Sequence, residues 1–531
     1  MANIIKEPCD DAVVMAKPMS ACCTQAAAPW ILAATIIGSS LVFMDGTVVN
    51  VALPVIQAEL SATATELQWI VEAYALFLAA LILVGGSLGD RFGRRRVFAI
   101  GILVFTIASV LCGLATNISQ LIIARVAQGI GGALLVPSSL AIISAFFTGE
   151  GRGKAIGIWS GFTAITTSLG PVVGGWLVEN VSWRWAFFLN VPFAIIVLAI
   201  LFWRVPESRD ESAVRLDLLG AVLVTLGLGA LVYGIIESAN VGFGHPVVII
   251  SVFGGAFTIG MFVFSQARVQ FPMMPLNLFR SRTFSGANLL TLWLYAALGG
   301  ALYFLPFNLI QIQGYSATEA GAAYLPLILI IFLLSHWAGG LVHRHGAKIP
   351  LVVGPLIAAI GYLLLARPTI GGSYWETFFP GVVVLGLGMV ISIAPLTTTV
   401  MGAVNQQHAG IASGINNGVS RTGGLVAIAV LGLVLFDSFN AHLDVRLANV
   451  ALPTEVMEVL DRERIKLAGA VLPESIAESL RVNLRRMIQE SYVSAFRLVM
   501  IIGAMLALAS SLTAWLMIEA RRDTQVSRPP D

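Results

Sequence analysis

Four ionisable side chains stand inside long apolar runs of this 531-residue chain: Asp45, Glu72, Arg125 and Arg421. A charge deep in an apolar phase is costly unless it is paired or faces water, so such groups are retained for a task, often the movement of protons or ions. Asp45, Glu72 and Arg125 form the leading set for proton coupling. They lie about seven, five and six residues from the nearer ends of their runs, which at about 1.5 Å per residue puts all three roughly 8–10 Å below one face. A buried carboxyl group holds a proton more or less tightly depending on whether a guanidinium stands beside it. Moving Arg125 between two acids would therefore load and release a proton. Glu72 rests on depth alone and is equally readable as a structural partner of Arg125. Arg421 falls near the middle of its run, with no carboxylate in the neighbouring runs of the second half to neutralise it. It must face water, an anion, a bound solute, or backbone carbonyls at a kink near Gly423–Gly424. Gln128 shares the Arg125 face at i+3 spacing. Asn288, Trp293, Tyr295, Tyr324, Asn416 and Asn417 either line a cavity in the second half or pack its core.

Such groups need elements that hold them inside a membrane, and the composition supplies them. The chain is 57% hydrophobic and 11% charged, where soluble domains carry about 25% charged residues. The charges are clustered, leaving a stretch of 44 residues from Thr377 to Ser420 without one. About 20 helical residues cross a bilayer, and barrel strands would show only about ten alternating residues each. The pattern divides into fourteen helical spans, the first at 30–52 and the last at 494–518. The fold expected is an all-α integral membrane protein.

Lys and Arg fall overwhelmingly on one side. With the N-terminus inside, the cytoplasmic segments hold nineteen, and the short outer loops hold only Arg184 and Arg367. By the positive-inside rule both termini are cytoplasmic, in a multi-pass protein of the cell membrane. One outer segment, 437–493, is long. Its two stretches opening with Pro and an acidic residue read as short amphipathic helices, either a structural cap or a partner-binding element.

The same composition excludes several classes. The net charge of +2 is spread over short loops, which gives no nucleic-acid surface. Cys9, Cys22, Cys23 and Cys112 form no CxxC pair, and His343 with His345 in a basic loop is too little for a metal, so no disulfide, metal or cofactor is expected. No nucleophile–base pair marks an enzyme, and no GxxxxGK[ST] marks an ATP-driven pump.

The stretch GGSLGDRFGRRRVFAI, Gly85–Ile100, sits between spans 2 and 3. Its Gly86, Asp90, Arg91, Gly93, Arg94 and Arg95 combine charge with two spaced glycines, more than topology alone requires. It has a faint echo in AGGLVHRHGAK, Ala338–Lys348, which implies two homologous halves. The domains expected are a tail at 1–29, a six-helix bundle at 30–204, a two-helix insert at 205–282, a second bundle at 283–520 and a tail at 521–531. In span 5, Gly170, Pro171, Gly174 and Gly175 remove a backbone donor and several side chains, which suits a close seal against a neighbouring helix.

These motifs resemble the major facilitator superfamily in its fourteen-span drug:proton antiporter branch, over roughly 30–520. The resemblance rests on GSLGDRFGRRR, on MDGTVVNVALP at Met44–Pro54, on RVAQGIGGA at Arg125–Ala133 and on GPVVGG at Gly170–Gly175. Thr166 stands where the span-5 motif usually opens with Gly. The resemblance implies two pseudo-symmetric bundles and a loop between spans 2 and 3 that gates them. It also implies export of amphipathic small molecules, drugs or toxic metabolites, driven by a proton gradient. Membrane lipid and protons are then the partners of a monomer, with a periplasmic adaptor where the host has an outer membrane. Uptake, or lipid or metabolite transport, on the same scaffold is the alternative reading, and a receptor or scaffold is a third.

Overall fold

Thr63 starts the second membrane helix by a reciprocal cap: its hydroxyl accepts the Glu66 N–H while the Glu66 carboxylate accepts the Thr63 N–H. Asn117, Asp217 and Ser281 cap three further helices through their side chains. These polar caps satisfy first-turn N–H groups at helix ends, where the apolar runs stop. A computed structural model describes residues 21–147, 149–209, 217–404, 409–448, 450, 452–473 and 476–519. Most of the expected N-terminal tail, the last twelve residues, Cys9 and Arg215 lie outside the described residues.

Fourteen described helical spans are long and apolar enough to cross a membrane, the sixth being Trp185–Arg204 and the tenth Ala317–Ser335. The principal helices of these spans are α1 Ala21–Leu60, α2 Ala64–Phe92, α3 Arg94–Leu114, α4 Ile118–Phe146, α5 Gly149–Asn180, α6 Asn190–Arg204, α7 Leu218–Val241, α8 Pro246–Arg268, α9 Arg282–Phe307, α10 Leu325–His345, α11 Lys348–Leu365, α12 Phe379–Gly402, α13 Ala409–Leu447 and α14 Glu478–Met517. Within the first six, α1 packs on α5 and α6, α2 and α3 on α4, and α3 on α6. The last six repeat these pairings, with α9 on α13 and α14, α10 and α11 on α12, and α11 on α14. Helices α7 and α8 pair with each other, and α7 rests against both α2 and α13 where the two groups meet. The molecule is an all-α membrane protein.

Helix ends differ from the hydropathy estimate at both extremes of the chain. Helix α1 continues to Leu60, past the expected end at 52. Among the described residues of the long segment one separate amphipathic helix forms, Thr454–Glu463, followed by a tight turn at Arg464–Gly469. The second expected surface helix is the first part of α14, which runs unbroken from Glu478 through the membrane span. A helix needs no membrane to continue, so hydropathy marks where the span begins and not where the helix does. Below, the side bearing this segment is the cap side, and the side bearing the Gly85–Ile100 turn is the loop side.

Candidate functional site

Arg125, on the second turn of α4, is brought against α2 by a close backbone approach. A Cβ on Gly129 would lie 2.5 Å from the Tyr74 carbonyl oxygen, so only glycine lets the helices meet there. One turn earlier, the Arg125 guanidinium stacks 4.1 Å from the centroid of the Tyr74 ring. Its Nε donates to the Ile70 carbonyl at 3.0 Å, and its Nη1 donates to Asp45 Oδ2 of α1 at 2.5 Å and to Gln128 Oε1 at 2.7 Å. Gln128 Nε2 completes the ring by donating to Asp45 Oδ1 at 2.8 Å. Asn190 Nδ2, at the start of α6, donates to Ser109 Oγ at 2.8 Å and to Asp45 Oδ1 at 3.4 Å. Asp45, Arg125 and Gln128 are all at most 1% exposed. One buried pair with its hydrogen bonds thus ties α1, α2, α3, α4 and α6 together.

The sequence-predicted residues divide clearly. Asp45 and Arg125 are in direct contact. Glu72 is buried, and neither of its carboxyl oxygens has a hydrogen-bond partner among the described residues. The reason is angular: Arg125 reaches Ile70, and Glu72 is two residues further, about 200° round the helix. The Glu72 carboxyl group lies within electrostatic range of Tyr303 of α9, in the other bundle. Gln128 was a cavity candidate; it is fully buried inside the charge network. Tyr324 is a core residue whose hydroxyl donates to the Leu302 carbonyl at 3.2 Å, and Asn288 is a buried acceptor for Asn416 at 3.2 Å. These two are packing residues. Trp293, Tyr295 and Arg421 are half-buried and Asn417 is exposed. The Arg421 guanidinium lies 6.0 Å from the Phe43 ring of α1, across the seam, and its Nε has no acceptor among the described residues. Gly423 and Gly424 are where α13 presses on α9, against the Leu292 carbonyl and Gly299.

Ser109, Asn190 and Tyr74 were not singled out from the sequence. Being uncharged, they cost little in an apolar span and leave no gap in the hydropathy pattern. Asn190, an amide in WAFFLNVPF, carried the only legible signal.

Both glycine motifs sit at contacts. A side chain on Gly175 would collide with the Ala317 carbonyl, and one on Gly321 with that of Pro171. Gly170 and Gly174 face Thr47 and Val48 of α1. Thr166, in place of a glycine, donates to Ser40 Oγ at 2.8 Å. The hydrogen bonds between the two bundles, among the described residues, lie toward the cap side. Gln57 Nε2 donates to the Lys466 carbonyl at 3.1 Å, Gln311 Nε2 to Gln57 Oε1 at 2.8 Å, the Thr318 N–H to Glu179 at 3.1 Å and Gln68 Nε2 to the Ile428 carbonyl at 3.3 Å.

At the other side, the Gly85–Ile100 turn closes on its own bundle. Gly93 has φ +106, which a side chain would strain. The Arg94 guanidinium pairs with Asp90 at 2.8 Å. The Glu207 carboxylate accepts the N–H groups of Arg95 at 2.9 Å and Arg96 at 3.2 Å, capping α3 from beyond α6. Gly86 touches Pro137 of α4, and Arg91 is exposed beside Phe92.

Residues 35–428 of this chain match the family model of the Major Facilitator Superfamily. The chain belongs to that superfamily. It is a transporter and not an enzyme. It is 36% identical over 426 residues to "Multidrug resistance protein Stp" of Mycobacterium tuberculosis, covering 80% of this chain and 79% of that protein. It is 30% identical to the "Tetracenomycin C resistance and export protein" of Streptomyces glaucescens, covering 93% of each. Among solved structures, the fold matches a bacterial homologue of the human lysosomal transporter Spinster with a TM-score of 0.63 at 19% identity, covering 92% of this chain and 97% of the other.

Proposed function

We propose that this transporter is a proton-coupled antiporter that exports amphipathic small molecules, drugs or toxic metabolites, across the cell membrane. In this reading the loop side is cytoplasmic, as the Lys/Arg bias requires. The observation that carries it is the Asp45–Arg125 pair: a titratable group, buried, whose counter-charge comes from another helix. The related proteins named for drug resistance and export support this direction of transport and this class of solute.

The proposed cycle follows from the contacts. With Asp45 ionised, Arg125 holds α1 to α4, the cap-side seam is closed, and the half-buried Tyr295 and Arg421 with the exposed Asn417 meet solute from the cytoplasm. A proton reaching Asp45 from outside cancels the charge that Arg125 pairs with, and α1 is freed to shift against α4. Export requires the seam at Gly175 and Gly321 to part, and loss of the proton to the cytoplasm resets the pair. Glu72, without a hydrogen-bond partner among the described residues, is a second place where a proton can be held. Arg421 favours neutral or anionic solutes over dications, because a second positive charge beside it would be repelled.

Flux in proteoliposomes of known orientation tests the proposal. An imposed gradient, acid on the cap side, should drive a dye substrate from the loop side to the cap side. Movement with the protons, or movement indifferent to them, would refute antiport.

A further inference from the structure

On the flank of the second bundle, at its cap side, an open cleft lies between α14, the end of α13 and the turn at 366–371. Four guanidinium groups line it, those of Arg446, Arg485, Arg486 and Arg497, against one carboxylate, Glu490. Glu490 is already shared, pairing with Arg446 at 3.4 Å and with Arg486 at 2.9 Å. Arg497 spends its Nε on the Ala366 carbonyl at 3.0 Å, which fixes it in the cleft and leaves its terminal nitrogens over. Arg485 is exposed and has no acceptor among the described residues. The cleft therefore carries a net positive charge that its own groups do not neutralise.

What continues from it decides the ligand. From Arg497, steps of three or four residues along α14 reach Ile501, Met505, Leu508 and Leu512, all on one helical face and 37–53% exposed. These lie within the membrane span, so the face they form is covered by lipid chains. Trp375, 67% exposed in the short helix Tyr374–Thr377 that precedes α12, suits the interface level on this side. The stripe from Arg497 to Leu512 is about 23 Å long, more than half of a hydrocarbon core of about 30 Å. A phosphodiester anion in the arginine cleft would have its acyl chain on this stripe. Guanidinium groups bind phosphate oxygens in pairs, which suits this role better than ammonium groups would.

We infer that this cleft binds an anionic phospholipid of the outer leaflet, headgroup phosphate on Arg497 and chain along α14, with Arg485, about 18 Å further up the helix, adding its charge to the outer part of the cleft. The leaflet rests on the orientation proposed above. Lipid binding itself does not, so the two can fail separately. The test is native mass spectrometry of the full chain purified in neutral detergent, with phosphatidylglycerol, phosphatidylcholine or inorganic phosphate added. Phosphatidylglycerol should survive activation that strips phosphatidylcholine, and an Arg485→Gln/Arg497→Gln variant should hold it roughly tenfold more weakly. Glu490→Gln, which removes the competing acid, should hold it more tightly and covers the case where the double variant fails to fold. Equal retention of both lipids, full retention by the double variant, or protection of the protein by inorganic phosphate as effective as by phosphatidylglycerol would overturn the inference. So would an unchanged or weaker hold in Glu490→Gln.

Discussion

Arg125 on α4 donates to Asp45 on α1 at 2.5 Å while its Nε is held by the Ile70 carbonyl on α2, so one guanidinium joins three helices at a point closed to solvent. Taking both charges out of water is unfavourable, and the pair is tolerated because Gln128 and Asn190 complete the hydrogen bonding of the carboxylate. Such a pair is poor as a source of stability and well suited to a device that one proton can release.

Removing the guanidinium alone should therefore be worse than removing both charges. Arg125→Ala leaves Asp45 buried without a counter-ion, at a cost of about 3–5 kcal/mol, and should lower the melting temperature in detergent. Combining it with Asp45→Asn should recover part of that loss. A double variant as unstable as the sum of the single ones would show that the two groups do not interact.

Arg421 lies beside Phe43 with its Nε unsatisfied, in position to meet a solute. Arg421→Ala should weaken neutral and anionic substrates by roughly tenfold while leaving the protein folded. Dye-binding affinities across a substrate panel check this, and undiminished binding of every substrate would remove Arg421 from the site.

Gly175 meets the Ala317 carbonyl at the cap-side seam. Gly175→Val should hold the seam apart. With Cys9, Cys22 and Cys23 replaced by Ser, a Thr318→Cys thiol should then react faster with an impermeant maleimide than it does with Gly175 in place. Unchanged labelling would mean that this contact does not seal the molecule.

Glu207 caps α3 and draws the Arg94–Arg96 turn onto the end of α6. Glu207→Gln keeps the shape and removes the charge at a helix N-terminus, worth about 0.3–1 kcal/mol. Amide exchange at Arg95 and Arg96 should speed up by about two- to fivefold. No change would show that the carboxylate is not holding the turn.

The sequence revealed Asp45 and Arg125 because a charge in an apolar run stands out, and depth along two helices was enough to bring them together. Depth could not fix rotation, which is why Glu72, two residues from Ile70, faces away from Arg125. Ser109 and Asn190 escaped because amides and hydroxyls do not interrupt hydropathy. The fourteen spans were readable from run length and charge clusters. The continuation of α14 back to Glu478 was not, since Arg481, Arg485 and Arg486 end the apolar run without ending the helix. Glu207 lies 112 residues from the Arg95 N–H it accepts, a pairing that only the fold reveals.

Asp45→Asn tests the central claim most directly, because it removes the titratable group while keeping a side chain of the same shape. Binding and transport would be measured on the same proteoliposomes, with and without a proton gradient. The account expects dye binding to persist, gradient-driven export to be abolished, and passive exchange of substrate across the membrane to continue. Gradient-driven export at the wild-type rate in Asp45→Asn would contradict it.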